Sequence, residues 1–297
     1  MKSLFYLPFW FFKSRFLGYK KPLQTVLFIS DKCNLACKHC TVYRIKNPIV
    51  KSYEKIREEL ECSYKQGSRF VDFEGGEPTL WREGDKDLNS LIRLAKKIGY
   101  YSTTITTNAQ LPFTGSEADS IWVSLDGLGD YHDQVRGKGA FDRLEKNIAG
   151  SKHPQLSVNM VINANNYPSV EETIEYAKNN PAIQSISLNF HTPYPGTESL
   201  RLDLEKRKDV IDLIIKKKKQ GYPIMNSVSG LKLMKHNNFK KHCWVSNFIL
   251  ADGTRLTECA GKTAGICDQC GLSMAGEMTS VFNLKPDTIL AGLKLRM

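Results

Sequence analysis

TVLFISDKCNLACKHC (residues 25–40) joins a short β-branched, apolar run to three closely spaced cysteines. The run TVLFIS is typical of a buried β-strand, and Cys33, Cys37 and Cys40 follow it in the next loop, separated by three and two residues. A closed zinc site needs four protein ligands, whereas a [4Fe–4S] cube held by three thiolates keeps one iron open. We therefore expect an incomplete metal site whose open position binds a small molecule.

Similar short runs alternate with helical patterns from residue 24 to residue 220. Apolar residues at steps of three and four between the runs, as at Tyr53, Ile56 and Leu60, predict helices. Repeated β and α segments predict a parallel sheet with helices outside it. Six units are two short of a closed barrel, so we expect an α/β fold built as a partial (β/α)6 TIM-like barrel, with a flat doubly wound sheet as the alternative. The six predicted strands are TVLFIS (25–30), RFVDFE (69–74), YSTTITTN (101–108), SIWVSLD (120–126), LSVNMVIN (156–163) and SISLNFH (185–191).

Polar residues stand where these predicted strands end. Asn108 ends the third strand, Ser124 and Asp126 the fourth, and His191 the sixth. Because the C-terminal ends of parallel barrel strands share one face, these side chains are expected to ring one mouth. The pattern therefore predicts an active site at that mouth.

The three cysteines carry a family resemblance. Cys33, Cys37 and Cys40, at C-x3-C-x2-C after the first strand of a βα series, resemble the signature of the radical S-adenosylmethionine (SAM) superfamily. The resemblance implies a [4Fe–4S] cluster on these catalytic cysteines, with SAM bound to the open iron. It also implies reductive cleavage of SAM to a 5′-deoxyadenosyl radical, which abstracts hydrogen from an unactivated carbon.

The second strand leads into a further stretch that agrees with this family. Gly75, Gly76, Glu77 and Pro78 form the sequence GGEP, which resembles the motif that holds the methionyl amino group of SAM. Two glycines let backbone carbonyls approach an ammonium group, and Glu77 adds a negative acceptor. Asn108 is expected to join these residues at the cofactor site.

The fourth strand and the loop after it also match the family. Ser124 and Asp126 resemble the positions that hydrogen-bond the ribose hydroxyls or the methionyl carboxylate of SAM. Arg136 belongs to HDQVRGKGAF, which resembles the loop of members with C-terminal auxiliary clusters, although a surface ion pair with Asp133 is the alternative. His39 stands where the family has an aromatic residue against adenine, and the alternative is that it only fills the loop.

A second group of cysteines lies far downstream. Cys243, Cys259, Cys267 and Cys270 can close either a zinc site or a second [4Fe–4S] cluster, and their spacing does not separate the two. The group resembles a shortened SPASM or twitch region, which implies one auxiliary [4Fe–4S] cluster with a relay or structural role. It departs from that family because the gap from Gly253 to the next cysteine is one residue longer and further cysteines are missing. Structural zinc stays the alternative.

The sequence divides into three parts. We expect an aromatic and basic segment at 1–22, a radical SAM core at 23–222 and an auxiliary-cluster region at 223–297. The apolar run of the first segment is shorter than the about 20 residues that span a bilayer. Its aromatic rings and basic residues suit an anchor on an anionic membrane surface, with a segment folded over the bottom of the core as the alternative.

Composition restricts the partners only loosely. The chain has 297 residues with 41% hydrophobic and 25% charged, which is ordinary for a globular protein, and a net charge of +11, which indicates an anionic partner. Grouped cysteines favour metal sites over disulfides. We expect a reductant such as flavodoxin or ferredoxin as a partner and no nucleic acid. The expected location is cytoplasmic, peripheral on the inner face of the membrane.

Three functions compete at this stage. The first is a radical SAM enzyme that acts on a membrane lipid, motivated by the N-terminal segment and the positive charge. The second is a radical SAM enzyme that modifies a peptide or protein, motivated by the SPASM-like region, and the third is a non-catalytic zinc-binding scaffold. The loop FHTPYPGTESL after the sixth strand offers Tyr194 as a catalytic proton or hydrogen donor, although its prolines and glycine also explain a simple turn.

Overall fold

The computed structural model describes residues 2–40 and 45–294. Within this part of the chain eight strands form one sheet in the order β6-β5-β4-β3-β2-β1-β7-β8. All neighbouring pairs are parallel except the hairpin of β7 and β8. The strands are β1 (Gln24–Ser30), β2 (Phe70–Gly75), β3 (Ser102–Thr107), β4 (Ser120–Ser124), β5 (Leu156–Ile162), β6 (Ser185–Phe190), β7 (Ser246–Ile249) and β8 (Arg255–Leu256).

Helices follow most strands and cover one face of the sheet. They are α1 (Lys2–Phe16), α2 (Tyr53–Gln66), α3 (Leu88–Ile98), α4 (Asp130–Arg136), α5 (Ala140–Ser151), α6 (Val170–Asn179), α7 (Leu204–Lys219), α8 (Val228–His236), α9 (Ala260–Thr263), α10 (Ser273–Phe282) and α11 (Pro286–Lys294). Short 3₁₀ turns occupy Pro78–Leu80, Tyr167–Ser169, Glu198–Leu200, Cys243–Val245 and Cys267–Gln269. The parallel α/β order confirms the predicted fold class and is consistent with a partial TIM-like barrel.

The two faces of the sheet differ in polarity. Phe73, Ile105 and Val158 are fully buried in the core between the sheet and the helices. The opposite face carries polar or amphipathic side chains that stay partly exposed, including Asp72 and Trp122. Because successive strand residues point to opposite faces, one strand builds the core and the barrel interior at once. The face of the sheet away from the helices therefore carries the partly exposed side chains.

The C-terminal part contains helices and a strand that the sequence pattern did not predict. It contains α8, α10 and α11, and β7 pairs in parallel with β1, so that this part extends the sheet of the core. Gly230 and Gly276 allow α8 and α10 to pack closely, since a Cβ atom on Gly276 would lie 2.7 Å from the Gly230 carbonyl oxygen. These small residues interrupt the apolar pattern by which a helix is predicted. The boundary predicted at residue 222 stays a prediction.

The N-terminal segment folds as α1 and continues through Pro8. It packs across the N-terminal ends of the strands, where Trp10 joins Leu23, Phe70, Val245 and Phe282 in a second apolar cluster. Leu23 precedes β1, Phe70 begins β2 and Val245 precedes β7. This is the end of the barrel opposite the predicted mouth. None of the described helices is both long enough and apolar enough to cross a membrane.

Candidate active site at the cysteine loop

The three proximal cysteines lie in the loop that leaves β1. Cys37 is buried, Cys40 half-buried and Cys33 exposed. Burial raises the pKa of the Cys33 thiol, and it raises the pKa of Cys37 to about 11. The loop begins with a hydrogen bond of 2.8 Å from the Lys32 backbone N–H to Ser30 Oγ. A bound metal or a neighbouring cation favours the thiolate form in which cysteine binds metals.

The glycines of GGEP bring the end of β2 against this loop. A Cβ atom on Gly75 would lie 2.1 Å from the Ser30 carbonyl oxygen, and one on Gly76 would lie 2.2 Å from the Lys32 carbonyl oxygen. Gly75 also has φ of 145°, which side chains rarely allow. The two glycines therefore permit close contact between backbone and backbone. Pro78 is buried and starts the 3₁₀ turn that follows.

The Glu77 carboxylate ties the ends of β2 and β3 together. It accepts hydrogen bonds from the Thr79 backbone N–H (3.1 Å), the Thr79 hydroxyl (2.6 Å), the Thr107 hydroxyl (2.6 Å) and the Asn108 backbone N–H (2.7 Å). Burial raises the pKa of Glu77, and these donors oppose the rise. Four protein donors thus hold the carboxylate in place, and its contact with SAM stays a prediction.

Asn108 is bonded to Glu77 through its backbone and contacts the cysteine loop through its side chain. Its Nδ2 donates to Asn34 Oδ1 at 2.8 Å and lies 3.8 Å from Cys33 Sγ. Glu77 therefore positions Asn108, which in turn contacts the first cysteine. Asn34 was not predicted as a site residue, and its place between two cysteines is the signal that the sequence offers for it.

A buried ion pair stands on the other side of the loop. Arg136 Nε donates to Asp126 Oδ2 at 2.7 Å, and Arg136 Nη1 lies 3.9 Å from Cys37 Sγ. Burial alone would raise the pKa of Asp126, but Arg136 and neighbouring groups outweigh it and lower that pKa. Asp126 Oδ1 also accepts from the Val161 N–H. The guanidinium thus places positive charge beside the Cys37 thiol.

Arg136 pairs with Asp126, so the alternative of a surface ion pair with Asp133 does not describe it. Asp133 instead accepts hydrogen bonds from the backbone N–H groups of Gly139 (2.5 Å) and Phe141 (2.9 Å). Ser124 is partly exposed and ends β4 opposite Asn159 of β5. Its predicted hydrogen bonds to the ribose or the carboxylate of SAM stay predictions.

His39 occupies the space between Asp126 and the end of β6. Its Nε2 lies 3.8 Å from Asp126 Oδ2, and its ring meets the His191 ring edge-on, with ring centroids 6.5 Å apart. Burial lowers the pKa of His39 to about 4, so the imidazole is neutral at pH 7. Its Nδ1 is buried without a hydrogen-bond partner among the described residues. An unpartnered nitrogen here fits a bound ligand that supplies the missing partner.

The four distal cysteines line one cavity. Cys243, Cys259, Cys267 and Cys270 face it together with residues from the loop after β6 and from the C-terminal part, namely Thr192, Tyr194, Lys241, Gly261, Ile266 and Leu272. A hydrogen bond with Cys243 lowers the pKa of Cys259 below its usual range, whereas burial raises that of Cys270. In residues 2–40 and 45–294, no group of three or more His, Cys, Asp or Glu side chains is arranged to hold a single metal ion.

Tyr194 lies at this distal cavity. Its predicted place was the mouth beside Cys33, Cys37 and Cys40. Burial raises the pKa of Tyr194 to about 12, and the Cys259 and Cys270 thiols add to the rise. The structure therefore brings Tyr194 together with the distal cysteines. His191, three residues earlier, contacts His39 instead.

The distal region is fastened to the end of β6. The Phe190 N–H donates to the Gly271 carbonyl oxygen at 2.9 Å, and the Gly271 N–H donates to Thr192 Oγ1 at 2.9 Å. Arg207 Nη2 donates to the Cys270 carbonyl oxygen at 3.0 Å. The loop at 190–194 thus connects both cysteine groups.

Residues 27–177, which contain the cysteine loop, GGEP and the Asp126–Arg136 pair, match the family model described as Radical SAM superfamily. The chain belongs to the radical SAM superfamily. Membership implies a [4Fe–4S] cluster and SAM as cofactors. The donor set of this radical SAM protein fits them, because three thiols share one loop beside a guanidinium and His39 Nδ1 lacks a partner.

Two relatives show how far the likeness extends. The mycofactocin maturase MftC of Mycolicibacterium smegmatis is 25% identical over 162 residues, which cover 52% of this chain and 41% of that protein. A probable GTP 3′,8-cyclase of Saccharolobus solfataricus is 28% identical over 173 residues, 54% of each protein. The match therefore spans about half the length of these relatives.

Solved structures share the fold. SuiB of Streptococcus suis bound to SAM superposes with a TM-score of 0.64 at 19% identity, covering 82% of this chain and 61% of SuiB. The enzyme anSMEcpe, with bound AdoMet and the Kp18Cys peptide, gives 0.61 at 18% identity, covering 80% of this chain and 74% of its own. These similarities support the predicted α/β architecture.

Proposed function

We propose that the chain is a radical SAM enzyme that modifies a peptide or protein. The observation that carries the proposal is the cysteine loop, where Arg136 and Asn108 contact two of its three thiols at the end of β1. When bound there, the cluster supplies the electron that cleaves SAM and generates the 5′-deoxyadenosyl radical for hydrogen abstraction. The peptide substrate is supported by a maturase among the relatives and by peptide-bound structures among the neighbours.

Each residue of the mouth has a proposed task. Cys33, Cys37 and Cys40 bind the cluster, and Arg136 offsets the negative charge that thiolate ligands bring into a buried site. The backbone of the GGEP turn, with His39 and Ser124, is proposed to bind SAM. Other proposed SAM contacts are those of Asn108, Asp126, Glu77 and Pro78.

We also propose an auxiliary [4Fe–4S] cluster on the four distal cysteines. Their common cavity supports it, since all four thiols face one space. Tyr194 lines the same cavity, so its proposed role as a catalytic proton or hydrogen donor is placed beside this cluster. A reductant such as flavodoxin or ferredoxin would deliver electrons to the protein. Structural zinc is the competing occupant.

A lipid substrate is the second candidate. The exposed aromatic side chains of α1 favour it, and Phe5, Phe9 and Phe12 are examples. However, α1 packs at the strand ends opposite the cysteine loop. The peptide substrate therefore takes precedence, while a peripheral place on the inner face of a membrane remains part of the proposal.

Formation of 5′-deoxyadenosine tests the chemistry. The chain is reconstituted anaerobically with iron and sulfide, reduced with dithionite and supplied with SAM. We expect 5′-deoxyadenosine from the wild type and none from Cys37→Ala, with Cys62→Ala as the matched control that retains formation. A fully loaded wild type that yields no product, or an active Cys37→Ala, would contradict the proposal.

Iron content tests the distal site separately. A variant with Cys33, Cys37 and Cys40 all replaced by alanine should keep about four irons per chain if the distal cysteines hold a cube. Zinc without iron in that variant would favour the structural zinc site. Loss of both metals would leave the distal cysteines without a cofactor role.

A further inference from the structure

The helix α1 presents an exposed stripe of phenylalanine to solvent. Phe5, Phe9, Phe12 and Phe16 are 76%, 55%, 55% and 56% exposed. Their spacing of four, three and four residues places them on one helix face, over a length of about 16 Å. The rings of Phe12 and Phe16 are in contact, with centroids 5.3 Å apart. Exposed apolar side chains gathered in this way mark an interaction surface.

The opposite face of α1 is firmly attached to the domain. Trp10 is 3% exposed, and its Nε1 donates to the Lys21 carbonyl oxygen at 2.9 Å. The Tyr6 hydroxyl donates to the Gly67 carbonyl oxygen at 2.9 Å, and Arg15 Nε donates to that of Phe282 at 3.0 Å. The stripe is therefore displayed by an anchored helix, and the helix cannot roll to bury it without breaking these contacts.

The surroundings of the stripe are positively charged. Residues 1–30 include basic side chains and contain neither Asp nor Glu. Lys13 Nζ lies 4.4 Å from the centroid of the Phe9 ring, and Lys20 and Lys21 are exposed just beyond the helix. Aromatic rings with adjacent basic groups match the layered chemistry of a membrane surface, whose acyl boundary is apolar and whose anionic headgroups attract cations.

We propose that the stripe docks the protein on an anionic lipid bilayer. The phenylalanine rings enter the boundary between headgroups and acyl chains. Lys13, Lys20 and Lys21 contact the headgroup phosphates. Charge complementarity selects this occupant over a second copy of the chain, because two copies would bring the same basic residues together.

Docking through α1 also fixes the orientation of the barrel. The helix covers the N-terminal strand ends, whereas the cysteine loop follows the C-terminal end of β1. The seven residues of β1 separate these ends by about 20 Å. The mouth therefore faces away from the bilayer, and the substrate approaches from the aqueous side. The orientation of the active site rests on the proposed radical chemistry, whereas the docking itself does not.

Vesicle binding tests the docking surface. Co-sedimentation is measured with phosphatidylcholine vesicles that contain either no anionic lipid or about one-third phosphatidylglycerol. We expect the wild type to bind the anionic vesicles, with a partition coefficient that falls about tenfold or more in Phe9→Ser/Phe12→Ser. The matched control is Leu111→Ser/Leu204→Ser, which changes two exposed apolar side chains elsewhere and should bind as the wild type does.

Three results would overturn this proposal. They are absent binding by the wild type, equal binding by the wild type and Phe9→Ser/Phe12→Ser, and a change of oligomeric state in Phe9→Ser/Phe12→Ser, measured by light scattering, without a change in vesicle binding. The last result would assign the stripe to a second copy. Because none of these measurements requires SAM or a cluster, their failure is distinct from failure of the radical chemistry.

Hydrogen exchange with and without anionic vesicles tests the orientation. We expect new protection in residues 5–21 and in the turn around Gly67 that contacts Tyr6. The cysteine loop at 31–40 and the loop at 191–199 should exchange unchanged. Protection of those two loops would show that the mouth faces the bilayer, and it would favour a lipid substrate.

Discussion

Arg136 lies between the carboxylate of Asp126, which follows β4, and the Cys37 thiol of the cysteine loop. This ion pair leads to a prediction about stability. Arg136 and Asp126 are 2.7 Å apart, and Asp126 is fully buried. Replacing Arg136 with Met leaves a buried carboxylate without its counter-charge, which should lower the free energy of unfolding by about 3–5 kcal/mol. Urea denaturation of the metal-free protein at pH 7 measures the loss.

The matched control removes both charges. Asp126→Asn/Arg136→Met should be more stable than Arg136→Met alone, because no unpaired charge remains in the interior. If both variants lost the same free energy, the pair would contribute through packing and not through charge. Anaerobic iron loading of the same variants reports whether the guanidinium also supports the cluster at Cys37.

Sequence spacing predicted which residues gather at the cysteine loop, because they are close in sequence or follow strand ends. Cys33, Cys37 and Cys40 share one loop, and the parallel order brings Glu77 and Asn108 to the same end of the sheet. The place of Tyr194 depends on a segment that returns about 70 residues later, which no local pattern encodes. The partner of Arg136 was missed for a related reason: Asp133 is nearer in sequence, but its carboxylate is used by backbone N–H groups.

At the scale of elements, the central strands were predictable and the C-terminal helices were not. Strands such as β4 and β6 alternate buried and half-buried residues, which gives a clear period of two. In α8 and α10, glycine and serine serve close packing and do not complete an apolar stripe. Their stability comes from a tertiary contact that the local sequence does not display.

The contact of α8 with α10 predicts a pH dependence of stability. Burial raises the pKa of Glu277 to about 7, and its Oε1 accepts from the Ser227 N–H at 2.9 Å. A carboxyl group whose pKa is raised on folding stabilises the protein below its unfolded pKa. That stability, on the order of 3 kcal/mol, is lost as the pH rises from about 4.5 to about 7. Glu277→Gln should remove this pH dependence of the free energy of unfolding, and it should be more stable than the wild type at pH 8.

Asp287 serves as a control because its pKa is shifted in the direction opposite to that of Glu277. Its burial would raise its pKa, but hydrogen bonds from Ser229 outweigh burial and lower it. Its contribution is therefore present at neutral pH and is lost as the pH falls through its folded pKa. Asp287→Asn should lower the free energy of unfolding at pH 7. It should leave unchanged the pH dependence of that free energy that is assigned to Glu277. Chemical denaturation at intervals from pH 4 to pH 8 separates the contributions of Glu277 and Asp287. If Glu277→Gln kept the pH dependence of the wild type, that dependence would not come from Glu277.

At the scale of the whole molecule, the end of β6 connects the two cysteine groups. His191 contacts His39 at the mouth, and Thr192 lines the distal cavity. Gly271 closes the connection, since its backbone bonds to Phe190 and to the Thr192 hydroxyl. The C-terminal part is thus seated on the barrel at the strand that reaches both sites.

Gly271→Ala tests whether this contact holds the C-terminal part on the barrel. A Cβ atom there would lie 1.8 Å from the Phe190 carbonyl oxygen, so the backbone must separate. We expect a loss of unfolding free energy of at least about 1–3 kcal/mol and faster hydrogen exchange in Ser185–Phe190. Gly292→Ala is the control, because its Cβ atom would meet nothing within 4 Å. Gly271→Ala should also bind less iron at the distal cysteines, while the cysteine loop at 31–40 should bind as much iron as in the wild type. Unchanged exchange along β6 would show that the C-terminal part is held by other contacts.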